Sequence, residues 1–300
     1  MTMQPGPEDN RSQDSWTNRP NAIKMSDFKF NGQKVNVDLV ASIAKLLDAN
    51  GIPNVMWGPY VLACYGAPLV LYDFAFVIPD QHIDRAREVL LAANFPPCPQ
   101  GDDCHLIQPI CSLPHSYAHF ILDDKGQPPR GHNRQTGFWH PFRLELHKKS
   151  QLLWALPDIP LGAPAPDDPN YMLVNDDRLP DYNPIFKAGR APYTHYPVKM
   201  PTLPRYAESL AYGYLRKQRS EGEGDSLRAG FFLGEMTYIG LYCKLKPDDL
   251  EPRIQRFWEL RYHPDGYHPL FRYSDRLAAE LGTANFFPQE EEEGESQEKT

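Results

Sequence analysis

The 300-residue chain has no stretch of about 18 consecutive apolar residues, so no segment reads as a membrane-spanning helix. Its opening, MTMQPGPEDNRSQDSWTNRPN, lacks the apolar core of a secretory signal. Positive charge is in short supply: 31 Lys and Arg face 39 Asp and Glu, a formal net charge of -8. That balance does not suit a general nucleic-acid binder or an anionic-membrane binder, both of which select basic faces. Cysteine is scarce and odd in number, and Cys64, Cys98, Cys104, Cys111 and Cys243 form no dense framework. With no signal in view, reduced thiols and a cytoplasmic or nuclear location are the expectation. Several catalytic signatures are missing too. There is no Gly-x-Ser-x-Gly elbow, no His-Glu-x-x-His and no dinucleotide fingerprint, and EGEGDS lacks the Gly-Lys-Ser/Thr ending of a phosphate-binding loop.

What the chain does have is an ordinary globular share of hydrophobic residues, 41%, and of charged residues, 23%. Its 31 prolines are about twice the usual share and crowd the middle third. The organisation expected is a polar disordered arm over 1–25, a core over 26–156, a Pro-rich loop over 157–204, a helical region over 205–287 and an acidic, solvated tail over 288–300. Within the core, NVDLVASIAKLLDANG spaces Val37, Val40, Ile43, Ala44 and Leu47 for a helix that Gly51 ends. NVMW predicts a short strand, and Gly58 turns it into the short helix YVLACYGA. PLVLYDFAFVIPD is apolar on both faces apart from Asp73, the pattern of a central strand. A helix follows, with Ile83, Ala86, Val89, Leu90 and Ala93 on one face and Asp80 as its expected N-cap. HLIQPI, YAHFILDD and FRLELHKK read as further strands. After the Pro-rich segment, LPRYAESLAYGYLRKQ, RAGFFLGEMTYIGLYCKL, EPRIQRFWELRY and YSDRLAAELG read as helices. The fold class is therefore α/β in the α+β sense, a mixed sheet flanked by helices with a helical C-terminal portion.

This order resembles the nucleotidyltransferase fold, the superfamily of DNA polymerase beta and the aminoglycoside nucleotidyltransferases, and it looks like a degenerate, fungal-type member. Trp57-Gly58-Pro59-Tyr60 stands where that family has a Gly-Gly or Gly-Ser turn. LYDFAFVIP stands where its strand carries two acids one residue apart, and Glu145 in FRLELHKK stands for the acid of the later strand. The similarity covers roughly residues 35 to 150, with a weaker echo to about 245. It implies magnesium held by Asp73 and Glu145, with Gly58 and Tyr60 against a nucleoside triphosphate.

Two departures change the expected chemistry. Alternate strand residues share a face, so an Asp-x-Asp pair can grip two metal ions that clamp the phosphates. Here Ala75 replaces the second acid, which leaves one magnesium, at most, for Asp73 and Glu145. Pro59 has no N–H to offer a phosphate, and the Tyr60 ring is bulky where a small residue is usual. The resemblance thus implies a catalytically degenerate nucleotidyltransferase-like protein that binds a ligand or partner in the ancestral cleft. The partner could be a small molecule, a nucleotide or a protein. The alternative is an active magnesium-dependent transferase with a rebuilt site, in which Asp123 or Asp124 supplies the missing acid.

Plainer readings stand beside these. Asp73 can be a strand-end acid capped by backbone N–H groups. Glu145, alternating with Leu144 and Leu146, can face solvent on a half-buried strand. Gly58 is wanted by a strand-to-helix turn whatever it binds. Arg205, Arg216, Lys217 and Arg219 form the best candidate for phosphate contact, with Arg216 foremost, or simply a solvated helix face. The spacing Cys98-x5-Cys104-His105-x5-Cys111 does not match a paired Cys-x2-Cys zinc knuckle, so the cysteines and the six histidines between 105 and 147 read as loop and sheet residues.

Overall fold

A computed structural model of the chain describes residues 28–109, 111–122, 142–219, 224–262 and 267–288. The arm over 1–25, the acidic tail beyond Pro288, and Asp123 and Asp124 lie outside these residues. Helix α1, Val37–Ala49, starts where the Asn36 side chain accepts the Leu39 N–H at 3.2 Å and ends at Gly51, whose φ is +70°. Strand β1, Val55–Trp57, leads through Gly58 into helix α2, Pro59–Cys64, and on to strand β2, Asp73–Ile78. A single 3-10 turn precedes helix α3, Ile83–Ala92. Strands β3, Ala118–Ile121, and β4, Arg143–Lys148, complete the sheet, and the short helix α4, Lys149–Leu152, follows directly.

The sheet order is β1-β2-β4-β3, with β2 and β4 parallel and the outer pairs antiparallel. Strand β2 is therefore central, as its two apolar faces suggest. One face carries Phe74, Phe76, Leu144, Leu146 and Phe120, all buried. Phe95, just after α3, meets Phe120 edge-on at 6.2 Å and stacks on Phe30 at 4.9 Å, which closes that side. The opposite face lies under the C-terminal helices, of which α5 is Leu203–Arg219 and α6 is Asp225–Tyr242. Helices α7, Pro252–Arg261, and α8, Tyr267–Thr283, pack on one another, and α8 also packs on α5. Among the described residues no helix is long and apolar enough to cross a membrane.

The sequence expectations differ from this architecture in three places. The described part of HLIQPI, residues 105–109, is turn, because Ile107 N–H closes back onto Cys104 O at 3.0 Å. Arg228 of α6 then pins the segment by donating to the Pro109 and Cys111 carbonyls at 2.7 and 3.2 Å. Asp80 caps a different helix from the one expected: its carboxylate accepts the Ser150 N–H at 3.0 Å, in the first turn of α4. The Pro-rich segment is also not one long loop. It carries a two-stranded antiparallel sheet, β5, Tyr171–Leu173, with β6, Lys199–Pro201.

A buried charge pair anchors that segment to α1. Lys199 in β6 is 1% exposed and donates to both Asp48 carboxylate oxygens at 2.9 and 3.0 Å. Tyr196 and Asn54 also donate to Asp48, at 2.9 and 2.8 Å. An ammonium left in such a place without its counter-ion costs about 3–5 kcal/mol. Asp48→Ala is therefore expected to lower the urea unfolding free energy by that order, and adding Lys199→Met should restore most of it. A loss under about 1 kcal/mol for the single change would mean the pair is solvated.

Candidate active site

The register of the sheet assembles a row of polar side chains on the face beneath α5 and α6. Asp73 lies opposite Arg143, Ala75 opposite Glu145, and Val77 opposite His147 across the parallel β2–β4 pair. Trp57 lies opposite Ala75, and His119 opposite Glu145, from the two outer strands. Residues aligned in this way share a face, so Trp57, Asp73, Arg143, Glu145, His147 and His119 stand on one side of the sheet.

Arg143 joins the two acids. Its Nε donates to Glu145 Oε1 at 2.8 Å, and its Nη2 donates to Asp73 Oδ2 at 2.9 Å. The second Glu145 oxygen is 3.3 Å from His147 Nε2, while His147 Nδ1 lies 3.2 Å from the His115 carbonyl. All three charged groups are withdrawn from water, with side-chain exposures of 4% for Arg143, 10% for Glu145 and 18% for Asp73. Burial disfavours the Glu145 charge, but the His147 hydrogen bond and the Arg143 charge outweigh it and hold the carboxyl below its usual range. Asp73 goes the other way: burial and then the neighbouring Glu145 charge push its carboxyl up, against the pull of Arg143.

Helices α5 and α6 add a second polar pair above this row. Tyr206 of α5 donates its hydroxyl to Glu235 of α6 at 3.0 Å, and its ring meets the edge of Trp57 at 5.9 Å. Glu235 is 6% exposed, and burial raises its carboxyl to about 7, with the Asp73 charge adding to the rise. The Trp57 ring also packs on Phe231, Phe232 and His147, at 6.0, 6.3 and 6.3 Å. Its indole N–H has no hydrogen-bond partner among the described residues.

Asp73 and Glu145, chosen from the sequence, are thus brought together, and Glu145 is buried rather than facing solvent. Gly58 sits beside Ala75, since a Cβ placed there would lie 4.0 Å from Ala75 Cβ. Its φ of +81° is the left-handed conformation that requires glycine for backbone reasons alone. Tyr60 is not part of the cluster. Its ring packs edge-on against Phe74 at 5.5 Å, and Phe74 projects to the face opposite Asp73. Burial pushes its hydroxyl, which bonds to Cys64, well above the usual range. Arg216 is elsewhere as well: its guanidinium lies over Trp154 at 5.4 Å and donates to the Pro288 carbonyl at 3.2 Å. Ten residues of helix separate it from Tyr206, about 15 Å along the axis.

Arg143, His147 and Glu235 are the residues that sequence reasoning missed. In RLELH the polar residues alternate with leucines at strand period, which places Arg143, Glu145 and His147 on one face. In FFLGEMTYIG a single acid interrupts an apolar helix, the mark of a buried carboxyl. With one oxygen of each acid committed to a cation already present, Asp73 and Glu145 form a donor set that does not suit magnesium.

The raised Glu235 carboxyl has a consequence for stability. Between pH 4.5 and about 7 the folded chain keeps a proton there that the unfolded chain has released, so stability falls as pH rises through that window. The fall is expected to be on the order of 3 kcal/mol. Glu235→Gln keeps the hydrogen-bonding shape and should make the pH slope shallower in urea unfolding across the same range, leaving the smaller slope of the raised Asp73 carboxyl. Equal pH slopes for the two proteins would refute the assignment.

Comparison with family models finds no match for the chain, and comparison with curated proteins and with solved structures finds none that is significant.

Proposed function

We propose that the chain is a nucleotidyltransferase-like protein that no longer transfers nucleotides and instead holds a ligand or partner between its sheet and its C-terminal helices. The observation that carries this reading is the Arg143 guanidinium bonded to both candidate metal-binding acids. A cation clamp for a triphosphate needs those oxygens open, and here they neutralise a fixed side chain instead. Three further features support the same reading. Ala75 stands in β2 where the resemblance has a second acid, helix α2 has only six residues and starts with Pro59, and Tyr60 packs onto the far face of the sheet.

Calorimetric titration with magnesium–nucleoside triphosphates tests this reading. The wild-type chain and its folded Asp73→Asn and Glu145→Gln variants are expected to give no magnesium-dependent heat. Magnesium-dependent binding by the wild type that vanishes in both variants would overturn the proposal and restore an active transferase.

A further inference from the structure

A second cluster lies at the edge of the sheet, beside β3. Cys98, Cys104 and His119 come together there, with one ligand atom of each within 4.8 Å of the other two. The chain builds this arrangement in a specific way. Residues just before Cys98 run along β3: Ile121 N–H donates to Pro96 O at 2.9 Å, and Cys98 N–H donates to His119 O at 3.3 Å. Cys98 is thereby fixed next to His119. The chain then curls through a 3-10 turn at Gly101–Asp103, with Gly101 at a φ of +51°, and returns Cys104 to the same place. Cys104 Sγ ends 3.3 Å from His119 Nε2, and Ser116 Oγ lies 3.4 Å from His119 Nδ1.

We propose that Cys98, Cys104 and His119 bind one zinc-type divalent ion at the edge of β3. Two thiolates and an imidazole are soft and borderline donors, which select zinc over magnesium or calcium. In a tetrahedral zinc site, neighbouring sulfur and nitrogen ligands stand about 3.5–3.8 Å apart, so this cluster closes on an ion with movements of about 1 Å or less. In the tautomer with the proton on Nδ1, that N–H faces Ser116 Oγ and the Nε2 lone pair faces Cys104, the outer support that metal-binding histidines use. Burial lowers the His119 ring below its usual range, which favours the neutral, ligating form. Thiolate is the ligating form of cysteine, so binding is expected to strengthen as pH rises. Two thiolates then cancel the charge of the ion, and a neutral centre adds no net charge to a buried sheet face that already carries Arg143. Among the described residues the cluster supplies three ligands, which leaves a tetrahedral ion one position for water or an incoming anion.

The test uses the full chain, reduced, stripped with a chelator and titrated separately with zinc and cobalt(II). Expected are one ion bound per chain, affinity that weakens as pH falls, and a cobalt spectrum with a thiolate charge-transfer band and the intense visible bands of four-coordination. Cys98→Ser, Cys104→Ser and His119→Gln should each weaken binding by about 100-fold or more, as loss of a direct ligand must exceed the 10–100-fold of a supporting contact. Cys243→Ser should leave binding unchanged. Cys98 is only half-buried, so Cys98→Ser is the variant least prone to misfold, and circular dichroism checks its fold. The proposal is overturned if the reduced, folded chain takes up no zinc, or if uptake survives both Cys98→Ser and His119→Gln.

Discussion

Two carboxylates on the buried face of a sheet cannot both stay ionised without compensation, because burial and mutual repulsion each act against the second charge. Arg143 provides that compensation from within the same face. It stands opposite Asp73 and two residues before Glu145, so strand register alone delivers one guanidinium to both acids. A rigid planar cation with several donors suits this position, whereas a lysine could not hold both partners in fixed geometry. The arrangement permits helices α5 and α6 to cover the face with aromatic rings. Trp57, Tyr206, Phe231 and Phe232 pack over a charge cluster that is close to neutral instead of over bare anions.

The third acid fits the same logic. Glu235 has no basic partner in the cluster; it has a tyrosine hydroxyl, and burial keeps its carboxyl protonated into the neutral range. The cluster thus divides its acids by environment. Glu145 stays charged because Arg143 and His147 both face it. Asp73 is raised by burial and then by the neighbouring Glu145 carboxylate, against the pull of Arg143, and Glu235 is raised because little offsets its desolvation. Such divergence between neighbouring acids accompanies proton-transfer sites as well as structural networks. Here direct ion pairing and the cover of two helices count against proton transfer by the row itself.

Much of the scaffold was legible because local patterns and tertiary packing agree. The helical spacing from Val37 to Leu47, the doubly apolar run after Asp73 and the four C-terminal helices all appear close to where periodicity places them. HLIQPI misled because a short apolar run carries no information on whether its ends close into a turn. The small sheet of β5 and β6 was hidden because each strand has only three residues and one ends on a proline. At the site, the sequence marks Asp73 and Glu145 as lone acids among apolar strand residues, whereas Arg143, at the start of its strand, carries no such signal. Tyr60 and Arg216 suit a phosphate by chemical type, but packing against Phe74 and Trp154 sends them elsewhere. The grouping of Cys98 and Cys104 with His119 rests on a return through Gly101 and on strand register, neither of which a ligand-spacing rule contains.

If a guanidinium occupies the place of a metal, the two should exclude one another, and that exclusion can be measured directly. The unfolding free energy of the wild type and of Arg143→Met would be determined with and without manganese. The wild type should be indifferent to the ion. Arg143→Met should lose about 3–5 kcal/mol and regain part of it with manganese, because an ion that binds only the folded chain stabilises it. A wild type stabilised by manganese as strongly as the variant would show that the acids serve a metal despite Arg143, and would contradict a degenerate site.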